Sequence, residues 1–324
     1  MDPQEFREFL QKREMEIEKI EAALALALRF EAFCGERERM PATASDLSAF
    51  SDLLMQEGGN SEENYFTLLL YGRFMRNNPV FVAALELLDG SEVLDNLHRK
   101  VGEAYGDEAR DELFAGIGLS PLGTPSAEKP AYTSALLERL ENRFGQQACK
   151  ELLANSLRTL PDEYYLEARK KFQQCQDIDA YLEQEGRAFI EMLEEIKREG
   201  RLFFSQEITD EVIAFVDQHP EIRQGVRQGN ILYAIKIPYM AKHYLAETDE
   251  TLKRYDYCHC PWVREAIKSG APQISPLFCN CSAGFEKKRW EVIFDQPLRA
   301  EVLESVLAGD AWCKFAIYLP PEKI

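Results

Sequence analysis

The 324-residue sequence predicts an α+β protein, with an all-helical N-terminal domain, residues 1–125, followed by a mixed domain, residues 126–324. Helical periodicity fills the first 120 residues, whereas strand-like alternation begins only after residue 200. Between them, residues 120–131 are rich in Pro, Ser and Gly, which is typical of a boundary. A chain of this length can hold two domains that each bury their own core.

The N-terminal domain is predicted to be a bundle of amphipathic helices. Residues 4–33 are expected to form one long helix, because their apolar residues recur at spacings of three, four or seven. Ser45 and Ser61 are typical residues at helix starts, and Pro79 begins a further helix. The leucine and aromatic positions on these helices are most simply explained as the core of the bundle.

The C-terminal domain is predicted to begin with helices and to end in an antiparallel hairpin. Strands are expected at 201–204 and 231–237, with a helix, 209–218, between them. A further helix is expected at 282–294. Alternating apolar residues then predict two strands, 298–306 and 313–319, joined by a turn around Gly309.

The hairpin raises the question of what Glu304 contacts. If the turn is centred between Ala308 and Gly309, Glu304 and Cys313 lie opposite each other on the apolar face, with Cβ atoms about 5 Å apart. A carboxylate on a buried face is costly unless it is paired, protonated or bound to a metal. Glu304 and Cys313 together therefore suggest two ligands of one ion.

Five of the eight cysteines lie near this hairpin, as Cys258-x-Cys260, Cys279-x-Cys281 and Cys313. A helix start favours the thiolate form of Cys281, which suits a metal ligand. Zinc takes four ligands of the thiolate, carboxylate or imidazole type. Besides Cys281, Glu304 and Cys313, the candidate ligands are Cys279, Cys258, Cys260 and His259. An iron–sulfur cluster is the alternative cofactor, and buried cysteines that act as small hydrophobes are a further interpretation.

The same stretch resembles a known domain. Cys281-Ser-Ala-Gly-Phe, a helix, Val302-Leu-Glu-Ser and Gly309-Asp-x-x-Cys-x-Phe are similar to the pattern of the 4-vinyl reductase domain. That family includes a protein of bacteriochlorophyll synthesis, sensory parts of bacterial regulators that respond to aromatic compounds, and archaeal hydrocarbon-binding proteins. With IPYM and CHCP included, the region also resembles a bacterial metal-binding family. The resemblance implies an α/β domain with an apolar small-molecule pocket beside a zinc site.

In the metal-binding members of the 4-vinyl reductase family, the ligands carry over to Cys281, Glu304 and Cys313 of this chain. A third ligand of the family pattern would fall near Leu307, where this sequence has no ligand residue. Either one of the other cysteines or His259 fills that place, or the site serves something other than zinc.

Composition limits the class of partner. A formal net charge of −18 argues against direct binding to nucleic acid or to an anionic membrane surface. The polar start and the absence of an apolar run approaching 18 residues predict a cytoplasmic protein, whose thiols stay reduced. No glycine-rich nucleotide-binding loop occurs in the sequence.

The predicted function is therefore that of a zinc-binding protein that binds or senses a small apolar or aromatic molecule. Lys236, Tyr239 and His243 are the candidate polar residues of the ligand site. The N-terminal domain is expected to serve dimerisation or docking, so a homodimer is one expected assembly. The alternative is an enzyme at the same site, either a metal-dependent hydrolase or lyase or an iron–sulfur reductase, and the sequence leaves turnover open.

Overall fold

The computed structural model describes residues 1–37, 41–155, 157–158 and 160–321, which form two compact units. Unit 1 comprises Met1–Ser91 and Ser120–Lys129, and unit 2 comprises Glu92–Leu119 and Pro130–Ile324. Residues 92–119, which the sequence analysis assigned to the N-terminal domain, cluster with unit 2. The predicted domains also include residues 38–40, 156, 159 and 322–324, which lie outside the described residues.

In its described residues, unit 1 contains five helices: α1 (Pro3–Gln11), α2 (Ile17–Glu36), α3 (Ala44–Gln56), α4 (Glu62–Phe74) and α5 (Asn78–Leu88). The prediction of one helix over residues 4–33 is wrong, because the chain breaks between α1 and α2. Glu14 adopts a left-handed conformation there, with φ of 58°. The break allows Phe6 of α1 and Phe30 of α2 to pack in the same core.

The segment Ser120–Lys129, expected to be a boundary, packs onto the core of unit 1. The buried Ser51 hydroxyl lies 2.8 Å from the Tyr65 hydroxyl and donates to the carbonyl oxygen of Gly123 over 3.3 Å. Gly123 has φ of 95°, and a Cβ there would lie 2.0 Å from the Tyr65 hydroxyl. Only glycine therefore fits this close approach of the returning backbone.

In its described residues, unit 2 begins with the helices α6 (Glu92–Tyr105), α7 (Asp107–Phe114), α8 (Lys129–Leu153), α9 (Leu166–Gln174) and α10 (Ile178–Arg198). Helix α8 starts at the boundary between the units and is interrupted at Gly145. The later helices are α11 (Asp210–Gln218), α12 (Pro220–Arg223), α13 (Ala241–Ala246), α14 (Glu250–Tyr257), α15 (Arg264–Ser269) and α16 (Asn280–Phe294). Among the helices that the structure describes, none combines the length and apolar character needed to cross a membrane.

The strands of unit 2 form two antiparallel sheets within the described residues. Strands β1 (Leu202–Phe203) and β2 (Gln206–Glu207) form the smaller sheet. The larger sheet contains β3 (Val226–Gln228), β4 (Ile231–Ile235), β5 (Arg299–Glu304) and β6 (Lys314–Tyr318), in the order β3-β4-β6-β5. Trp290 and Phe294 of α16 pack in one core with Ile317 of β6. The α+β class predicted from the sequence is confirmed at this level.

The register of the C-terminal hairpin differs from the predicted one. Strands β5 and β6 pair antiparallel, but a β-bulge between Val302 and Glu304 shifts the pairing, so Glu304 lies opposite Lys314. The prediction that Glu304 faces Cys313 is therefore wrong. The connection is also longer than a tight turn, because β5 ends at Glu304 and β6 begins at Lys314. Within this loop, the Ser305 amide donates to the Asp310 carboxylate over 2.8 Å, and the Asp310 amide donates to the Ser305 carbonyl. A bulge adds one residue to one strand and reverses the alternation beyond it.

Candidate functional site: a cluster of buried thiols

Separate segments of unit 2 bring together Cys258, Cys260, Cys279, Cys281 and Cys313, which we call the thiol cluster. Cys258 follows α14, Cys281 lies in the first turn of α16, and Cys313 directly precedes β6. Backbone hydrogen bonds hold these segments against the chain that leaves β4: Lys236 N–H donates to the Cys313 carbonyl, and Tyr239 N–H donates to the Tyr257 carbonyl. Four of the five cysteines belong to, or pack against, one hydrophobic core.

The thiols of this cluster interact electrostatically. Burial raises the pKa of the Cys258 thiol well above its ordinary value, and negative charge on Cys260, Cys313 or Cys279 would raise it further. Burial also raises the pKa of Cys279, with further contributions from Cys313 and Cys260. Charges influence one another in this way only when they lie close together. Cys258 and Cys279 therefore lie near each other and near Cys260 and Cys313.

Cys281 interacts with this group through the charge of Cys260. Burial raises the pKa of the Cys281 thiol to about 12, and Cys260 is the cluster cysteine whose charge adds to this effect. Cys313 also has a raised pKa, through burial first, although the backbone N–H of Val306 and the ammonium of Lys236 act in the opposite direction. With raised pKa values, the Cys281 and Cys313 thiols are protonated and neutral near pH 7, and they are poor nucleophiles.

Lys236 supplies positive charge beside the cluster. Its Nζ lies 3.4 Å from the Ser282 hydroxyl and 3.4 Å from the Glu286 carboxylate, with 13% of its side chain exposed. Its charge lowers the pKa of Cys279 and of Cys281, against the larger effect of burial. Lys236 is one of the predicted polar residues of the ligand site, and in the structure its neighbours are Ser282, Glu286 and the cluster.

His259 lies between two cluster cysteines in a fixed orientation. Its Nε2 is 2.5 Å from the Ile237 carbonyl oxygen, and the Tyr239 ring packs edge-on against the imidazole, with 5.4 Å between centroids. Burial, assisted by the charge of Lys236, lowers the pKa of His259 to about 3. The imidazole is therefore neutral at physiological pH. Because a carbonyl can only accept, Nε2 carries the proton and Nδ1 is the unprotonated nitrogen.

Other predicted site residues lie apart from the thiols. Glu304 is half-buried opposite Lys314 and lines a cleft beside β5. His243 is exposed on α13, whereas Tyr239 is buried and its ring lies 4.7 Å from the Arg264 guanidinium carbon. Of the three predicted ligand-contacting residues, Lys236 and Tyr239 therefore lie in the cluster region and His243 does not.

Two polar residues that contact this region, Ser305 and Tyr257, are not among the site residues predicted from the sequence. The Ser305 hydroxyl lies 3.0 Å from the Cys279 sulfur, and both groups are at least partly buried. The Tyr257 hydroxyl donates to the Lys236 carbonyl oxygen over 2.5 Å, and its ring is fully buried. Tyr257 directly precedes Cys258 and Ser305 directly follows Glu304, so their positions next to predicted ligands were the only signal in the sequence.

The thiols of the cluster are near one another but not converged on a point. In residues 1–37, 41–155, 157–158 and 160–321, no group of three or more His, Cys, Asp or Glu side chains has an arrangement that could hold a metal ion. All eight cysteines are free thiols. Cys34 and Cys149 are buried elsewhere, and burial raises the pKa of each to about 11. Only the thiol cluster thus places several cysteines within electrostatic range of one another among the described residues.

Comparison with known proteins gives no family for this chain. The chain matches no protein-family model, no curated protein and no solved structure. The resemblance to the 4-vinyl reductase domain therefore stays a prediction that rests on the motif between Cys281 and Phe315.

Proposed function

We propose that unit 2 is a metal-binding module, and that a zinc ion binds to thiolates of the thiol cluster. The observation that carries this proposal is that three segments of unit 2 bring five cysteines into one region, where charge on Cys260 and Cys313 reaches both Cys258 and Cys279, and charge on Cys260 also reaches Cys281. A single buried cysteine acts as a small hydrophobe. Five cysteines in one region are not explained by packing alone, because small aliphatic side chains fill a core equally well and carry no ionisable group. Metal binding displaces the thiol protons and gives the cysteines a common role.

The proposed ligands are Cys258, Cys260, Cys279 and Cys313, because Cys258 is affected by charge on the other three, whereas Cys260 is the cluster cysteine that affects Cys281. This set differs from the one implied by the resemblance, which used Cys281 and Glu304. Glu304 is left out because it lies opposite Lys314. Binding requires the ligand side chains to move closer together, since among the described residues no three of them have an arrangement that could hold a metal ion.

Lys236 and His259 would support such a site in different ways. Four thiolates around a divalent ion carry two excess negative charges, and the Lys236 ammonium offsets part of this charge. His259 is neutral and is held by the Ile237 carbonyl, so it orients the loop between Cys258 and Cys260 without adding charge. A zinc site closed by four thiolates supplies stability rather than turnover. We also propose that unit 2 binds or senses a small apolar or aromatic molecule, and that Lys236 and Tyr239 make the polar contacts to this molecule.

The test is metal analysis of protein purified anaerobically without an affinity tag. We expect about one zinc per chain and no colour, and after exchange with Co²⁺ we expect the absorption bands of tetrahedral cobalt thiolate. Cys279→Ser should lose the metal, while Cys281→Ser should keep it. Cys149→Ser is the matched control, because Cys149 is a buried cysteine of the same unit outside the cluster.

The outcomes separate the competing functions. A brown protein that contains iron and sulfide would replace zinc by an iron–sulfur cluster and make a redox function the next subject. Equal metal content in Cys279→Ser and Cys149→Ser would contradict the proposed ligands. A protein that takes up neither zinc, cobalt nor iron under reducing conditions would refute metal binding at the cluster.

A further inference from the structure

A cleft of about 930 Å³ runs along the free edge of the larger sheet. Strand β5 is the outermost described strand on that side, since its only neighbour in the order β3-β4-β6-β5 is β6. All consecutive residues from Leu298 to Ser305 line the cleft. Because alternate side chains of a strand point to opposite faces, a cleft lined by consecutive residues lies along the strand edge and not over one face.

The backbone of β5 is unpaired toward this cleft. Residues 299–304 pair with β6 on one side, and no other backbone–backbone hydrogen bond involves them within the described residues. About half of their N–H and C=O groups therefore point to the cleft, because each residue of an edge strand bonds to a neighbour on one side only. Such an edge is a template for one more strand.

The far wall of the cleft limits what can enter. It consists of residues on one side of α8 after its interruption, including Gln147, Lys150 and Glu151, together with Ser275–Leu277. At a rise of about 3.3 Å per residue and spacings of about 4.8 Å between strands and 10 Å between sheets, a six-residue strand fills about 950 Å³. The cleft thus has about the volume of one extended segment.

The charges around the cleft favour a basic segment. Arg299 pairs with Glu301 at 2.9 Å and Lys287 pairs with Glu291 at 2.7 Å, so these two cations are already neutralised. Glu304 and Glu151, on opposite walls, make no ion pair among the described residues, and Asp310 accepts a backbone N–H at one end. Lys150 and Lys314, which lies opposite Glu304, supply two positive charges against these three carboxylates, and the whole chain has a charge of −18.

We propose that this cleft binds an extended, basic segment of a partner protein, which adds to the sheet as a strand beside β5. Main-chain hydrogen bonds to β5 would supply affinity, and the carboxylates of Glu304 and Glu151 would select lysine or arginine side chains. This site does not depend on metal, and it is distinct from the predicted apolar pocket.

The test uses a fluorescein-labelled peptide in which Thr and Lys alternate, because Thr favours strands and Lys supplies the charge. We expect this peptide to bind, measured by fluorescence anisotropy at low salt, at least about ten-fold more tightly than the same peptide with Glu in place of Lys. Glu151→Lys should weaken binding about ten-fold and Glu304→Gln about three-fold. Glu211→Lys, an exposed residue of α11 outside the cleft, is the control and should change binding less than two-fold.

Two further measurements identify the binding mode. Two further peptides carry methyl groups on the backbone nitrogens of every second residue, one at the odd-numbered and the other at the even-numbered positions. Binding should be abolished for one of these peptides and retained for the other, because the N–H groups of alternate residues point to opposite edges and only one edge pairs with β5. Hydrogen exchange of residues 298–305 should slow when the peptide is present.

Several results would overturn the proposal: no binding of the Thr–Lys peptide at about 1 mM, equal binding of both methylated peptides, or equal effects of Glu151→Lys and Glu211→Lys. If hydrogen exchange of residues 298–305 slows with rising protein concentration in the absence of peptide, the edge of β5 pairs with a second copy of the chain instead.

Discussion

The raised pKa of Cys281 predicts that the thiol cluster makes the metal-free protein sensitive to alkaline pH. The folded-state pKa is about 12 and the ordinary value is 9.0, so below pH 9 the thiol is protonated in both the folded and the unfolded state. Above pH 9 the unfolded chain loses this proton while the folded chain keeps it. The unfolded state then binds fewer protons, so the free energy of unfolding falls as the pH rises, until the pH approaches the folded-state pKa.

The size of this effect follows from the width of the window. Between the two pKa values, once the thiol is fully ionised in the unfolded state, the free energy of unfolding falls by about 1.4 kcal/mol per thiol for each pH unit. From pH 9 to pH 10, where ionisation is still partial, it falls by about 1 kcal/mol. Removing the Cys281 thiol removes this one contribution. The free energy of unfolding of Cys281→Ala should therefore fall by about 1 kcal/mol less than that of the wild type between pH 9 and pH 10.

The assay is urea unfolding at pH 8, 9 and 10 with a reductant and a chelator present, on the wild type and on Cys281→Ala. The cavity left by the substitution destabilises the variant equally at each pH, so it cancels in the comparison. Ala283→Gly, at a fully buried position of the same helix, is the control. It should lower the free energy of unfolding by the same amount at each pH, because it removes no ionisable group. An identical pH dependence for the wild type and Cys281→Ala would refute the reasoning, because it would mean that the Cys281 thiol is not buried.

Two further predictions concern the surroundings of the metal site and the core of unit 1. Lys236→Met should weaken zinc binding about ten-fold, measured by competition with a chromophoric chelator, because a positive charge beside the metal site stabilises the bound thiolates. Lys236→Arg keeps the charge and should retain most of the affinity. Equal zinc affinities of the wild type and both variants would show that Lys236 has no such role. Gly123→Ala should lower the free energy of unfolding of unit 1 by about 2–4 kcal/mol, because the methyl group would collide with the Tyr65 hydroxyl and strain the backbone. Gly58→Ala, with φ of 72° and no atom within 4 Å of the added Cβ, should cost only about 1 kcal/mol in the same denaturant titration; equal losses would disprove the close approach at Gly123.

Local patterns in the sequence were sufficient to predict many elements. The Thr43 side chain caps α3 in a box with Asp46, so this helix starts within two residues of the predicted Ser45. The predicted strand at 231–237 corresponds to β4, and the predicted helix at 282–294 corresponds to α16. These features depend on neighbouring residues along the chain, which is the information that a sequence pattern contains.

The grouping of helices into units was not predictable in the same way. Helix α6 has an apolar face, which was predicted to pack in the N-terminal bundle. In the structure its residues Val93 and Leu97 belong to the same core as Trp262 and Phe278. An amphipathic face shows that a helix is covered on one side, but it does not identify the element that covers it.

The sequence by itself determined that five cysteines lie in the C-terminal region and that a helix and a hairpin accompany them. Only the tertiary structure decided that a bulge places Glu304 opposite Lys314, that Cys281 neighbours Cys260, and that His259 is neutral with its proton on Nε2. The reason is that strand register, burial and charge proximity arise from residues distant in sequence, and no local periodicity encodes them.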